Sequence, residues 1–195
     1  GDAPVSVQSM CSTDTRDVTA TVAEIHRLEA AGCEIIRVAV PDEEAAAVLP
    51  QIKAAMTVPL IADIHFDYRL ALKAAAVVDC VRINPGNIGT WWKVEEVIKA
   101  VNDHGIPIRV GVNGGSLERP LLEKYGWPSP EALSESALNA VHALEDVGFT
   151  NMKVSLKASD VKHAIDAYWL FAMQSDYPLH IGITEAGTAM TGAVK

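Results

Sequence analysis

Strand-like and helix-like segments alternate along almost the whole chain. Short runs rich in β-branched residues recur, and each is followed by a stretch with helical periodicity. The predicted strands are residues 5–9, 35–40, 59–64, 80–84, 107–112, 152–156 and 179–183. Helices are predicted between them, for example at residues 17–31, 130–147 and 161–173. This alternation predicts a parallel sheet with right-handed crossovers.

Two architectures satisfy this alternation, an open doubly wound sheet and a closed barrel. No GxGxxG motif follows the first strand, and several strands end in polar residues. Because barrels build their sites on the C-terminal ends of many strands, we expect an α/β fold of the TIM (β/α)8 type. Seven strands are predicted where a closed barrel needs eight, and such barrels typically run to about 250 residues. We therefore expect one domain over residues 1–195, a barrel truncated after about seven strands and belonging to a longer protein.

One connection and one helix start are singled out by their composition. The segment 113–130 is rich in glycine and proline, which predicts a long loop over the strand ends that could act as a lid. The first helix is expected to be capped by Asp14 or Thr15, with Gly32 just past its end.

The charge balance and the cysteines narrow the classes of function. The net charge of -9 argues against nucleic acid and anionic lipid as partners. No apolar run is long enough to cross a bilayer, and no signal peptide is evident, so a cytoplasmic location is expected. Cys11, Cys33 and Cys80 form no CxxC pair and no disulfide framework, so we expect reduced thiols and no metal site in these residues.

Cationic side chains recur near the C-terminal ends of the predicted strands. Charged residues in otherwise apolar strands are costly unless they are paired or functional. We expect these cations to converge on one mouth and to bind a multiply charged anion. They are Arg37, Arg82, Arg109 and Lys157. The alternative is that each one pairs with a carboxylate of the barrel such as Asp63 or Glu185.

Other polar residues at the strand ends can be interpreted as functional or as structural. In residues 82–89 (RINPGNIG), Asn84 and Asn87 flank a Pro-Gly turn that can cradle a phosphate or can be an ordinary turn. Asn113 shares a strand face with Arg109. His65 is either a general acid or a structural histidine.

Lys157 is either an anion clamp or a Schiff-base nucleophile, as in barrel aldolases. Glu185 is either an acid/base group or an ion-pair partner. Two guanidinium groups can hold the oxygens of an anion such as phosphate, whereas a carboxylate beside a multiply charged anion needs another purpose. We therefore expect Arg82 and Arg109 to bind the anion and Glu185 to serve the chemistry.

The motifs at the strand ends resemble, in order, those of the 4-hydroxy-3-methylbut-2-enyl diphosphate synthase family. They are residues 7–10, 37–41, 62–69, 82–89, 109–113, 116–118, 155–160 and 182–187. The resemblance implies a reductive ring opening of 2-C-methyl-D-erythritol 2,4-cyclodiphosphate, in the non-mevalonate route to isoprenoids. It implies a 4Fe–4S cluster held by three cysteines and a glutamate in a separate C-terminal domain. It also implies flavodoxin or ferredoxin as electron donor, and a homodimer.

The polar residues at the strand ends give the expected site residues and their roles. The substrate-binding set is Arg37, Arg82, Asn84, Asn87, Arg109, Asn113 and Lys157, and the catalytic set is His65 and Glu185. The cysteines of this chain do not match the cluster ligands of the family. We therefore expect these 195 residues to bind the diphosphate but to lack the cluster and the full activity. Two alternatives stay open: a Schiff-base lyase that uses Lys157, and a diphosphate-binding module without chemistry of its own.

Overall fold

The chain folds into two compact units, which are described in turn. The computed structural model describes residues 4–194. The first unit runs to residue 108 and the second begins at residue 109. Strands and helices alternate in both, as the sequence predicts. No helix of the described residues is long and apolar enough to cross a membrane.

A parallel sheet of four strands forms the centre of the first unit. Its strands follow chain order: β1 (Gln8–Met10), β2 (Ile35–Ala39), β3 (Leu60–Asp63) and β4 (Cys80–Ile83). The register places Met10 opposite Arg37 and Asp63 opposite Arg82. Asp63 itself lies opposite Ala39, two residues after Arg37, so the two pairs occupy successive levels on the same face of the sheet.

Helices follow each strand of the first unit. They are α1 (Val18–Ala30), α2 (Glu43–Ala54), α3 (Tyr68–Ala75), the single turn α4 (Pro85–Ile88) and α5 (Trp91–Asp103). Both faces of β3 and β4 are buried, as is usual for parallel strands flanked by helices. Aliphatic side chains such as Ile25, Leu49 and Val97 fill the space between helices and sheet. Asp63 and Arg82 are therefore charged exceptions in an apolar interior.

Aspartates start the first three helices. Asp17, Asp42 and Asp67 each accept a hydrogen bond from a backbone N–H in the first turn of the following helix. The prediction of Asp14 or Thr15 as the cap of α1 was wrong by two or three residues. The Thr15 hydroxyl donates instead to the carbonyl oxygen of Ala39 at 2.6 Å, which ties the loop after β1 to the end of β2.

Within the described residues, the second unit contains two neighbouring strands and four α-helices. The strands are β5 (Ile108–Asn113), which starts at the last residue of the first unit, and β6 (Met152–Lys157). The helices are α6 (Arg119–Tyr125), α7 (Pro130–Asp146), α8 (Val161–Ala172) and α9 (Ala189–Val194). The long helix α7 packs extensively against α8. Leu133, Leu144 and Phe171 are among the side chains buried there.

The segment 113–130 is more regular than the predicted loop. It contains a short 3-10 helix (Gly114–Ser116) and the helix α6. Pro120 lies in the first turn of α6, where its missing N–H costs nothing. Gly126 ends α6 with a φ of 76°, a left-handed conformation that favours glycine. The glycine and proline that suggested an irregular loop are in fact the two ends of a helix.

The predicted seventh strand, residues 179–183, is not a strand in this structure. The segment runs beside β6 but forms only an isolated bridge between Val154 and Leu179. The amide of Val154 donates to Pro178, and the amide of His180 donates back to Val154. Pro178 has no N–H to donate, and Gly182 interrupts the apolar run, and both features weaken a strand.

Candidate functional site

Asp63 is the centre of a buried charge cluster in the first unit. Its carboxylate lies 3.0 Å from Nη1 of Arg82 and 3.5 Å from Nε of Arg37. Nε2 of His65 lies 3.4 Å from the same carboxylate. The side-chain exposures are 3% for Asp63, 6% for Arg82 and 12% for Arg37, whereas His65 is 51% exposed. One carboxylate therefore holds two arginines inside the fold and one histidine at its surface.

Two opposing effects set the ionisation of this cluster. Burial alone would raise the pKa of Asp63, but the hydrogen bond from His65 and the charges of Arg82 and Arg37 lower that pKa below its ordinary value. Burial lowers the pKa of Arg37, which Asp63 opposes and the charge of Arg82 reinforces. Asp63 is therefore ionised at neutral pH, between two guanidinium groups that repel each other.

Arg37 has a second contact on the neighbouring strand β1. Its Nε and Nη2 atoms lie 3.1 and 2.7 Å from Sδ of Met10. The two residues are paired in the β1–β2 register, so the sheet itself places the thioether against the guanidinium. Arg37 is thus held from two sides, by a carboxylate and by a neutral sulfur.

The turn after β4 uses its asparagine as a helix cap. Asn84 is buried, and its Oδ1 accepts a hydrogen bond from the amide of Gly86 at 3.1 Å. The backbone amide of Asn87 donates to the carbonyl of Asn84 at 2.9 Å, and the Asn87 side chain is half-buried. Asn84 therefore has a clear structural role as the start of α4, and its predicted contact with a phosphate stays a prediction.

A second buried guanidinium group lies in the second unit. Arg109 on β5 is fully enclosed, and its Nη2 and Nε atoms lie 3.2 and 3.3 Å from the hydroxyl of Ser155 on β6. The Tyr168 hydroxyl accepts from the amide of Leu156 and donates to the carbonyl of His180 at 2.6 Å. Burial raises the pKa of Tyr168 to about 12, against the opposing effects of the Leu156 amide and the Arg109 charge. Tyr168 is therefore a neutral tether between β6 and the segment that follows α8.

Lys157 and Glu185 lie in the same unit, near the end of β6. A Cβ atom built on Gly182 would lie 3.5 Å from both Cε and Nζ of Lys157, so the lysine side chain packs along this glycine. The amide of Thr184 donates to Ala158, just past β6. Glu185 follows with a φ of 52° and is the one non-glycine residue with positive φ among the residues that the structure describes. Such a backbone costs energy for a side chain with a Cβ.

The structure brings some of the predicted residues together and assigns others to separate units. Arg37, Arg82 and His65 meet at Asp63. The alternative that the cations pair with Asp63 is confirmed for Arg37 and Arg82. Arg109, Asn113, Lys157 and Glu185 belong to the second unit, so their convergence with the first group stays a prediction.

Sequence reasoning missed three supporting residues, Met10, Ser155 and Tyr168. Met10 and Ser155 could have been found because each lies on a strand next to an arginine-bearing strand and faces that arginine in register or phase. Tyr168 lies on a helix, and nothing in its periodicity separates it from an ordinary core residue.

The cysteines do not form a metal centre. All three are buried, and Cys33 directs its thiol to the carbonyl of Ile35. Burial, with the nearby charge of Glu24, raises the pKa of Cys11 to about 12, so this thiol stays protonated. Within residues 4–194, no group of three or more His, Cys, Asp and Glu side chains could hold a metal ion. The described residues therefore do not fit an iron–sulfur cluster.

Comparison with solved structures supports the barrel fold. The chain is similar to Yersinia pestis dihydropteroate synthase, with a TM-score of 0.60, 14% identity, and coverage of 97% of this chain and 73% of the other. It is also similar to phospho-2-dehydro-3-deoxyheptonate aldolase from Thermotoga maritima, with a TM-score of 0.61, 11% identity, and coverage of 89% and 49%. At such low identity the likeness shows the fold alone.

Sequence comparison identifies much closer relatives. The chain is 59% identical to 4-hydroxy-3-methylbut-2-en-1-yl diphosphate synthase (flavodoxin) of Geobacter sulfurreducens, over 100% of this chain and 56% of the relative. The enzyme of the same name from Maridesulfovibrio salexigens is 60% identical, over 100% and 55%. The chain thus spans about half the length of the curated relatives it matches.

A family model described as the GcpE TIM-barrel domain matches residues 1–195. The resemblance inferred from the motifs is therefore confirmed, and so is the expected class of α/β TIM-barrel fold. This chain belongs to the GcpE TIM-barrel domain family.

Proposed function

We propose that this chain is the substrate-binding barrel of a 4-hydroxy-3-methylbut-2-enyl diphosphate synthase. The substrate is 2-C-methyl-D-erythritol 2,4-cyclodiphosphate, and the reaction of the whole protein is its reductive ring opening. The observation that carries the proposal is the buried cluster of Arg37 and Arg82 around Asp63. The relatives' name, shared at about 59% identity, supports the reaction class.

The charge of the cluster suits a diphosphate. Two guanidinium groups face one carboxylate, so the cluster keeps a net positive charge whether or not His65 is protonated. Guanidinium groups present planar forks of N–H donors that match phosphate oxygens. Because the arginines are largely buried, their attraction for an anion is screened less than that of surface charges. The arginines therefore bind the diphosphate, and Asp63 holds them in place.

We propose that the second unit has anion-binding residues of its own. Asn113 and Lys157 are the last residues of β5 and β6, the position at which TIM barrels build their sites, whereas Arg109 lies one residue after the start of β5. Arg109 and Lys157 are the cations that the second unit is proposed to offer to a phosphoryl group. Asn84 and Asn87 in the first unit, and Asn113 in the second, are proposed to offer amide groups to substrate oxygens.

His65 and Glu185 are the proposed proton carriers. His65 is half-exposed and its Nε2 is occupied by Asp63, which leaves the other side of the ring for a substrate. Glu185 is exposed in a strained backbone, as is common for functional residues. The electrons are proposed to come from flavodoxin or ferredoxin, as the flavodoxin in the relatives' name suggests. The 4Fe–4S cluster, the flavodoxin or ferredoxin donor and the homodimer belong to the longer protein.

Calorimetric titration of the cyclic diphosphate into the chain tests the binding role. Arg82→Lys keeps the positive charge but removes the planar pair of N–H donors. We expect its dissociation constant for the cyclic diphosphate to rise about tenfold or more, as for the loss of a charged hydrogen bond. The matched control is Arg69→Lys, because Arg69 is exposed and pairs with Asp67 at the surface. Equal affinities for the wild type and Arg82→Lys would contradict the proposal.

The chemistry is tested in the longer protein. Arg82→Ala should mainly raise KM, and Glu185→Gln should mainly lower kcat. Full turnover in Glu185→Gln would leave Glu185 without a catalytic role. A borohydride-stable adduct on Lys157 with a carbonyl substrate would instead favour a Schiff-base lyase.

A further inference from the structure

Met10 contacts Arg37 through its sulfur atom. The thioether lies 2.7 Å from Nη2 and 3.1 Å from Nε, so one acceptor serves two donors of the same guanidinium group. Both residues are in the regular part of the sheet, and their Cα atoms are register partners. The contact is therefore set by strand pairing and not by a loop.

The rest of the cluster explains why a neutral acceptor fits here. The Asp63 carboxylate is shared by Arg37, Arg82 and His65, and it is closer to Arg82 than to Arg37. A second carboxylate at position 10 would fix Arg37 firmly but would cancel the charge that attracts an anion. A thioether accepts weakly and carries no charge.

We propose that Met10 is a positioning residue for Arg37, which holds the guanidinium group in place and leaves its positive charge available to a diphosphate. The consequence for binding rests on the proposed function, whereas the contact itself does not. An apolar side chain of the same size could fill the space, but it could not orient the N–H groups. The proposed role of Met10 therefore depends on its sulfur atom as a hydrogen-bond acceptor and not on the volume of its side chain.

Three substitutions separate these contributions, with inorganic pyrophosphate and the cyclic diphosphate as probes in calorimetry. Met10→Leu keeps the volume and removes the acceptor, so we expect its dissociation constants to rise about 2- to 5-fold, since sulfur is a weak acceptor. Met10→Gln offers a neutral amide oxygen and should bind within about twofold of the wild type. Met10→Glu should bind at least as weakly as Met10→Leu, because it neutralises Arg37.

The matched control is Met152→Leu, the same exchange at a buried methionine of β6. It should leave both dissociation constants unchanged. Unchanged affinities in both leucine variants would overturn the positioning role, as would affinity lost equally in Met10→Leu and Met10→Gln.

A measurement without ligand keeps this idea separate from the proposed function. The Nε–H resonance of Arg37 can be assigned in nitrogen-correlated NMR spectra by its loss in Arg37→Lys. We expect this proton to exchange faster with water in Met10→Leu and to be protected again in Met10→Gln. If the wild type binds neither probe but the exchange responds in this way, the proposed function fails and the positioning role stands.

If the exchange is the same in the wild type and in Met10→Leu, the positioning role is wrong, whatever the binding data show. If Met10→Leu does not fold, the carbon shift of the Met10 methyl group decides. This chemical shift should change in Arg37→Lys and remain unchanged in Arg69→Lys. The same change in both variants, or no change in either, would refute the contact.

Discussion

Replacing Asp63 with asparagine should destabilise the first unit more than any surface change. The substitution keeps the shape of the side chain but leaves Arg37 and Arg82 facing each other without a counter-charge. Removing one partner of a buried ion pair typically costs about 3–5 kcal/mol. The side-chain exposures of 3% for Asp63 and 6% for Arg82 place this cluster in the buried class. We therefore expect the free energy of unfolding at pH 7 to fall by about 3–5 kcal/mol.

The same substitution predicts a distinctive dependence on pH. The pKa of Asp63 in the folded state lies below its ordinary value, because of the His65 hydrogen bond and the two arginine charges. Its contribution to stability is therefore present above the unfolded-state pKa of about 3.9, and it is lost as pH falls toward the folded-state pKa. A protonated Asp63 is as neutral as asparagine. The difference between the wild type and Asp63→Asn should therefore shrink steadily below about pH 4.

Urea unfolding followed by tryptophan fluorescence measures both effects, since Trp91 and Trp92 report on the first unit. The matched control is Asp67→Asn. Asp67 also has a lowered pKa, but it pairs with the exposed Arg69 and can keep its helix cap as asparagine. This control should lose no more than about 1 kcal/mol. A loss in Asp63→Asn as small as the control's, or a gap that stays constant down to pH 2, would refute the reasoning.

Three further predictions concern other residues. Burial raises the pKa of Cys11 to about 12, so its thiol should resist iodoacetamide at pH 8 in the native protein and react in urea. Peptide mass spectrometry measures the labelling, and rapid labelling of the native protein would contradict the burial of Cys11. Ser155→Ala removes the acceptor for two N–H groups of Arg109 and should lower the free energy of unfolding by about 1–3 kcal/mol, with Ser116→Ala as the half-exposed control. Glu185→Gly relieves a φ of 52° and should raise stability by about 1 kcal/mol while it lowers turnover in the longer protein, whereas a loss of stability would show that the backbone there is not strained.

The sequence predicted β2, β3 and β4 to within one residue at each end, whereas β1 was predicted at residues 5–9 and lies at Gln8–Met10. Alternation within β-strands put Arg82 and Asp63 at the ends of neighbouring strands, and the structure pairs them. It could not tell an anion site from an internal ion pair, because both require the same residue types at the same positions. Only the distances show that one carboxylate serves both Arg37 and Arg82.

The second unit was harder to predict, for physical reasons. Proline and glycine in residues 113–130 suggested a loop, yet Pro120 and Gly126 mark the start and end of α6. An apolar run suggested a strand at residues 179–183, but strands need repeated pairing and this segment makes a single bridge. Proline and glycine occur both in loops and at the ends of helices, so their presence alone did not decide the first point. Strand pairing depends on neighbours outside the segment, so composition did not decide the second.

The sharing of one carboxylate has a consequence for the evolution of this site. Arg37, Arg82 and His65 all contact Asp63, so a change at one of them alters the environment of the other two. Residues that share a partner show interaction energies of about 0.5–3 kcal/mol, of either sign. Epistasis should therefore be strong among these four positions. A substitution of Asp63 that is harmful alone becomes tolerable once one arginine has already been lost. Substitutions at these positions should therefore be correlated and not independent during evolution.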